Sequence, residues 1–368
     1  MPQPTSRRDW LKITAALTAG LSISKNIYAG EQQKPFPAAM ILLNSNENAY
    51  GPSANTIKAM ADAAKLSNRY PDDIHPLLKQ QLATHWNVEP VNILMGAGSS
   101  ELLGLTAILA SMKSKTMISP FPTFGSWYKV AELMGAGIKK IPLASGDKTM
   151  DLAAMLSAID NETSLVYVCN PNNPTGTVVK HHLLRNFVEE CSKKCWVLVD
   201  EAYTEFENIP TLSDMALKNQ NIIVAKTFSK IYGLAGARIG YAVAHADTIK
   251  KLAALQPWPD VSVSAVTAMA AMAALKDETF VAGCRKKNAE ARTMCYNTFE
   301  QLKLEYIASA ASFVMVNISS IGERYTQQMQ NKNIFVQYRD FWNGKWSRVS
   351  MGTLEEMKMY CDALKEIA

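Results

Sequence analysis

The sequence predicts an α/β protein with a mostly parallel central sheet flanked by helices, followed by a smaller α+β region. Three observations carry this. Short apolar or β-branched runs alternate with helical patterns from about residue 90 to 245. The alternation stops where Pro257 and Pro259 break the chain, and the tail then mixes short strands with longer helices. Parallel strands are covered on both faces, so they read as continuous apolar runs rather than as alternating ones.

In chain order, the runs that read as strands are 92–95, 116–119, 138–141, 165–169, 196–199, 222–225 and 239–244. Helical patterns fall between them at 100–111, 126–134, 152–158 and 182–191. Beyond the two prolines an alanine- and methionine-rich helix is expected over 262–275, and a longer helical pattern reaches about 305. The tail reads as strands at 313–318, 334–337 and 346–350, and a final helix over 354–367. The proline break is the expected domain boundary. In an open sheet of this kind, functional groups gather in the loops at the carboxyl ends of the strands.

Composition narrows the class. Of 368 residues, 48% are hydrophobic and 19% charged, which excludes disordered and collagen-like chains. After the N-terminal region no uncharged apolar run reaches the roughly 18 residues that argue for a membrane span, so a polytopic membrane protein is not expected. Lys+Arg 38 against Asp+Glu 33 gives +5, too mild an excess to argue for nucleic acid. Arg7, Arg8, Lys12 and Lys25 against Asp9 put +3 of it in residues 1–29. There, Arg7-Arg8-Asp9-Trp10-Leu11 precedes a weakly apolar stretch and Ala29, the pattern of an export signal of twin-arginine type. A periplasmic or otherwise exported protein without stable membrane association is then expected; without a working signal it would be cytoplasmic. Six cysteines show no CxxC pair and no accompanying histidines, so neither a zinc site nor a disulfide framework is indicated. Cys191 and Cys195 both read as lying in the helix that ends before the 196–199 strand.

Three successive strand ends carry chemistry. Asn170-Pro171-Asn172-Asn173-Pro174-Thr175-Gly176 follows 165–169, Asp200-Glu201-Ala202-Tyr203 ends 196–199, and Ser229-Lys230 follows 222–225, with Gly233, Gly236 and Arg238 beyond. Each alone has an ordinary explanation: a proline-rich turn, an exposed acid, a surface lysine. Together they deliver an amide, a carboxylate with a phenol, and a lysine to one rim of one sheet.

These blocks resemble the pyridoxal-phosphate-dependent class I/II aminotransferases of fold type I, and within them the histidinol-phosphate aminotransferase branch. The resemblance spans nearly the whole chain after residue 40. It includes Leu43-Asn44-Ser45-Asn46-Glu47-Asn48, Asn68-Arg69-Tyr70-Pro71-Asp72, Gly96-Ala97-Gly98-Ser99-Ser100-Glu101, Pro122-Thr123-Phe124 and Arg348-Val349-Ser350-Met351-Gly352-Thr353. It implies a large domain over 59–261 and a small one built from 30–58 and 262–368. It also implies that Lys230 forms an imine with the cofactor aldehyde and later moves the substrate proton. Asp200 would pair with the pyridine nitrogen, Asn173 and Tyr203 with the phenolic oxygen, and Phe124 would stack on the ring. Gly98 and Ser99, at a helix start, would meet the phosphate together with Thr227, Ser229 and Arg238. Tyr70 would reach the phosphate of a neighbouring subunit, which implies a homodimer. Arg348 would hold the anionic end of the substrate, with Asn48 and Tyr50 nearby. Two departures stand out. Gln337 occupies the place where the family has an arginine, with Arg339 two residues later, and Ala49 stands where proline is common.

The expected function is transfer of an amino group between an amino acid or a histidinol phosphate-like amino-alcohol phosphate and a 2-oxo acid. Decarboxylation, elimination or oxidation on the same cofactor is the alternative enzyme class, because one electron sink serves them all. A non-catalytic cofactor-binding protein is the alternative outside catalysis. No metal is expected.

Overall fold

The computed structural model describes residues 40–368. The export signal read over 1–29 lies outside the described residues. Among those described, twelve strands form two sheets. In chain order they are β1 Ile41–Leu43, β2 Ile93–Gly96, β3 Thr116–Phe121, β4 Gly137–Pro142, β5 Thr163–Cys169, β6 Trp196–Asp200, β7 Ile222–Thr227, β8 Gly240–Ala244, β9 Tyr306–Ile307, β10 Phe313–Asn317, β11 Ile334–Phe341 and β12 Gly344–Ser350.

The larger sheet has the order β2-β8-β7-β6-β5-β3-β4. Strand β8 runs antiparallel to both of its neighbours, and the other neighbouring pairs are parallel. Every residue of β2, β5, β6, β7 and β8 is buried, as the apolar runs require, while β4, an edge strand carrying Lys139 and Lys140, is largely exposed. Crossover helices include Ser99–Ser111 and His181–Ser192. The second of these ends before Cys195, so that cysteine lies beyond the helix and not in it. All six cysteines are buried and free.

The second sheet has the order β1-β11-β12-β10-β9. β1 pairs in parallel with β11, Ile41 opposite Ile334 and Leu43 opposite Val336. β11 and β12 form a hairpin that turns at Trp342 and Asn343, both with positive φ, before Gly344. The closing helix Leu354–Ile367 starts at a capping box, in which Thr353 accepts from Glu356 N at 3.2 Å and Glu356 accepts from Thr353 N at 2.7 Å.

Helix Ala265–Lys276 packs its alanine face into the same apolar group as Leu78, Leu82, Phe228 and Tyr241, and that group continues to Cys284. Ala291, Cys295 and Phe299, further along the helix Glu278–Gln301, belong instead to the core of the second sheet. The buried partners therefore change within that helix and not at Pro257 and Pro259, because small alanines let the post-proline helix lie close against the first layer.

Candidate active site

A cavity of about 700 Å³ lies at the carboxyl ends of β5, β6 and β7, bordered by the stretch after β1 and by residues of β11 and β12. Ten of the residues singled out from the sequence line it: Ser99, Phe124, Asn173, Asp200, Tyr203, Thr227, Ser229, Lys230, Arg238 and Arg348. Local structure explains why they meet. Parallel strands end on one edge, and the single reversed strand β8 starts on that edge, so the short β7–β8 connection holds both Lys230 and Arg238 there.

Asp200, the last residue of β6, is 2% exposed. Its Oδ2 accepts from the Tyr167 hydroxyl at 3.0 Å and its Oδ1 from Ala202 N at 3.2 Å. Burial pushes its pKa up to about 6, with Glu201 adding to the rise, while those two donors and Lys230 oppose it. Lys230 is half-buried and donates to the backbone oxygen of Asn46 at 3.1 Å. Burial brings its pKa down to about 8, helped by the guanidinium groups of Arg348 and Arg238 and opposed by Asp200 and Glu47. The Tyr203 hydroxyl accepts from Asn46 Nδ2 at 3.1 Å and from Asn173 Nδ2 at 3.4 Å, and burial raises its pKa.

Arg348, 7% exposed, donates from Nη1 to Asn173 Oδ1 at 2.7 Å and from Nη2 to Asn44 O at 2.9 Å. Its Nε is buried without a partner. Burial lowers its pKa to about 10, the Arg339 guanidinium adds to that, and Tyr203 opposes it. Arg339 itself lines the cavity and donates to Gln337 Oε1 at 2.5 Å. Arg238 donates to Ala235 O at 2.9 Å and Ala97 O at 3.2 Å. The described hydrogen bonds of these three arginines thus go to carbonyl and amide oxygens, which leaves their charge available to an anion.

An anion cradle stands at one end. Gly98, at φ 81°, precedes the helix Ser99–Ser111 with no side-chain cap, so the first N–H groups face outward. A Cβ at Gly240 would overlap Ser99 N, so close backbone approach requires that glycine, while Gly98 is required by its positive φ. Thr227 and Ser229 hydroxyls, 2.9 Å apart, complete that end. Glu101, whose presence breaks a dinucleotide fingerprint, accepts from Ala97 N at 2.6 Å and so closes the turn.

Four expected residues do not line the cavity. Gly98 stands just behind Ser99. Asn48 is engaged with Ile231 O at 2.7 Å and Tyr50 N at 3.0 Å, and the Tyr50 hydroxyl accepts from Leu354 N at 3.2 Å, so both secure backbone rather than face the cavity. Tyr70 is 76% exposed and lies edge-on to Trp258. Two residues that the sequence did not single out for chemistry matter: Asn46, which holds Tyr203 and Lys230 at once, and Tyr167.

A lysine of reduced basicity, a buried carboxylate, a helix start beside Arg238 and a guanidinium without a carboxylate partner, gathered at the edge of this sheet, are what a pyridoxal-phosphate enzyme of fold type I requires. The family profile "Aminotransferase class I and II" matches residues 38–364. The chain is 36% identical to the histidinol-phosphate aminotransferase of Moorella thermoacetica over 333 residues, 89% of this chain and 85% of that one. It is also 36% identical to that of Caldicellulosiruptor saccharolyticus, over 89% of this chain and 92% of the other. The crystal structure of histidinol-phosphate aminotransferase from Sinorhizobium meliloti in complex with pyridoxal-5'-phosphate superposes with TM-score 0.83 at 27% identity, covering 89% of this chain and 90% of that one. The chain belongs to the class I and II aminotransferases, and it is a pyridoxal-phosphate-dependent aminotransferase.

Proposed function

We propose that the protein moves an amino group from an anion-bearing donor to a 2-oxo acid, with Lys230, Asp200 and Arg348 as the working residues. The observation that carries this reading is the convergence of all three, with the cradle, on one cavity. The residues fit the cofactor. Its phosphate would sit against Ser99, Thr227, Ser229 and Arg238, its ring nitrogen against Asp200, its phenolic oxygen near Asn173 and Tyr203, and its aldehyde within reach of Lys230. When bound, it supplies an electron sink for bonds at the amino-bearing carbon. The chain's residues do the rest. Lys230 in its neutral form takes and returns the proton at that carbon. Asp200 as carboxylate keeps a proton on the ring nitrogen. Arg348 holds the donor's anionic end, so that the scissile C–H bond faces the lysine.

Two donor classes suit one guanidinium. The names of the relatives favour an amino-alcohol phosphate of histidinol phosphate type. Gln337 in place of an arginine opposite Arg348 favours a carboxylate-bearing amino acid. Mixing the cofactor-loaded protein with histidinol phosphate and with a panel of amino acids, and following loss of the visible band, decides between them. Arg348→Met is expected to raise KM for the true donor roughly tenfold to a hundredfold, as loss of a charged hydrogen bond does. An unchanged KM would remove Arg348 from the substrate site.

The active unit we propose is a homodimer. Tyr70 and Trp258 are exposed at 76% and 50% and lie outside the cavity of their own chain, which suits a tyrosine that serves a neighbour. Mixed dimers of Tyr70→Ala and Lys230→Ala chains should regain activity that neither variant has alone. Absence of any recovery would contradict a contribution across subunits. Export by the twin-arginine route is proposed from Arg7 and Arg8. Replacing both with lysine should retain the protein in the cytoplasm, and continued export would rule that route out.

A further inference from the structure

We propose that Tyr167 is a positioning residue for Asp200, its hydroxyl donating to Oδ2 and so fixing the plane in which the carboxylate is presented to the cavity. This rests on the reading that Asp200 meets the cofactor's ring nitrogen.

The geometry begins with the strands. β5 and β6 run parallel, with Tyr167 opposite Leu198 and Cys169 opposite Asp200. Tyr167, Cys169 and Leu198 pack on one face of the sheet in a single apolar group that also holds Trp127. Tyr167 is fully buried there, and the Trp127 ring lies 5.2 Å from its own. A phenol oxygen buried among apolar side chains is costly unless it finds a partner. The partner is Asp200 Oδ2, at 3.0 Å. Full burial in this group, with Trp127 against it, restrains the ring. The hydroxyl is therefore a fixed donor, and with Ala202 N on Oδ1 each carboxylate oxygen has one protein donor.

Two consequences follow. Rotation of the carboxylate about its Cβ–Cγ bond would break both bonds, so its remaining lone pairs keep one direction. The donor also favours the ionised form. The other groups acting on Asp200 are Lys230, which favours ionisation as well, and Glu201, which opposes it, while Cys169, with a pKa raised by burial, stays a neutral thiol. Without the Tyr167 hydroxyl, a carboxyl whose pKa burial already lifts to about 6 would rise further and hold its own proton near neutral pH.

The test is Tyr167→Phe, which removes one oxygen and keeps the ring. Cofactor affinity, read by fluorescence titration of the cofactor-free protein, is expected to weaken about tenfold, as loss of a hydrogen bond to a charged group does. The acid limb of kcat/KM should move to higher pH, because the active form is the carboxylate. In an Asp200→Asn background, Tyr167→Phe should change affinity little, since its partner no longer carries the charge. An unchanged affinity and acid limb, or full additivity in the double variant, would overturn the proposal. Should Tyr167→Phe fail to fold, 3-fluorotyrosine at position 167 supplies a stronger donor and should move the acid limb to lower pH; an unmoved limb overturns the proposal equally. Failure of the underlying reading looks different: Asp200→Asn alone would then leave affinity and turnover at wild-type values.

Discussion

Replacing Lys230 with alanine is expected to abolish the visible absorption of the purified protein and to lower kcat by on the order of 10⁴-fold, the upper range for loss of a general base. The amine has no substitute in the cavity. The other cations lining it, Arg238, Arg339 and Arg348, are guanidinium groups with donors and no acceptor, and the Tyr203 phenol is held neutral by burial. The pH dependence follows from the same surroundings. A lysine with pKa about 8 is neutral in roughly one molecule in ten at pH 7, whereas an unperturbed one is neutral in about three in ten thousand. Reaction of added cofactor with the cofactor-free protein should therefore speed up with rising pH and level off above about 8. A stopped-flow pH series checks this, and a rise that continues toward 10 would show that burial and the arginines do not act on Lys230. Retention of the band in Lys230→Ala would remove the lysine from the site altogether.

Asp200→Ala is the second large effect. The cradle at Ser99, Thr227, Ser229 and Arg238 is untouched, so the cofactor should still bind, with reduced affinity. Proton removal from the donor should slow by on the order of 10³-fold, comparable to removing a preorganised electrostatic group from other active sites. The reason is local. Asp200 is the only carboxylate among the cavity-lining residues besides Glu47, and Glu47 lies on the stretch after β1, not at the end of β6. Single-turnover mixing with the donor, using deuterium at its reacting carbon, isolates this step. Wild-type speed would refute the role given to Asp200.

The inner strands of the larger sheet are legible in the sequence because burial on both faces leaves little freedom in residue choice. Runs such as Leu165–Cys169 and Ile222–Ala225 have no polar alternation that could suggest anything else. β1 was read as part of a motif and not as a strand, because three residues carry no periodicity. β11 extends to Phe341, beyond the expected end at Gln337, since the two-residue turn at Trp342 and Asn343 allows the hairpin to continue past polar residues. Helices Ala54–Ala63, His75–Trp86, Ser213–Lys218, Ala246–Ala253 and Tyr325–Asn331 are not among the elements expected from the sequence. The first two pack against Ala265–Lys276, a tertiary partner that local sequence does not announce.

The site divides in a similar way. Lys230, Asp200, Asn173 and Arg238 could be named because their neighbours in sequence form recognisable blocks. Asn46 could not be given its role, since it acts through its backbone oxygen on Lys230 and through its amide on Tyr203, 157 positions away. Tyr167 looked like one more buried aromatic in an apolar strand. Only the register between β5 and β6 brings its hydroxyl to Asp200. Asn48 and Tyr50 were expected at the substrate, and they are instead spent on holding the chain around them.

The pairing of β1 with β11 bears on how the molecule is assembled on the ribosome. Ile41–Leu43 emerges early, but Ile334–Val336, which it must lie beside, emerges after nearly all of the chain. Contacts so far apart form late and slowly. The segment that follows β1 supplies Asn44 to Arg348 and Asn46 to Lys230, so neither cation is seated in a nascent chain. Both side chains are therefore expected to take up their final settings only once β11 and β12 have been made.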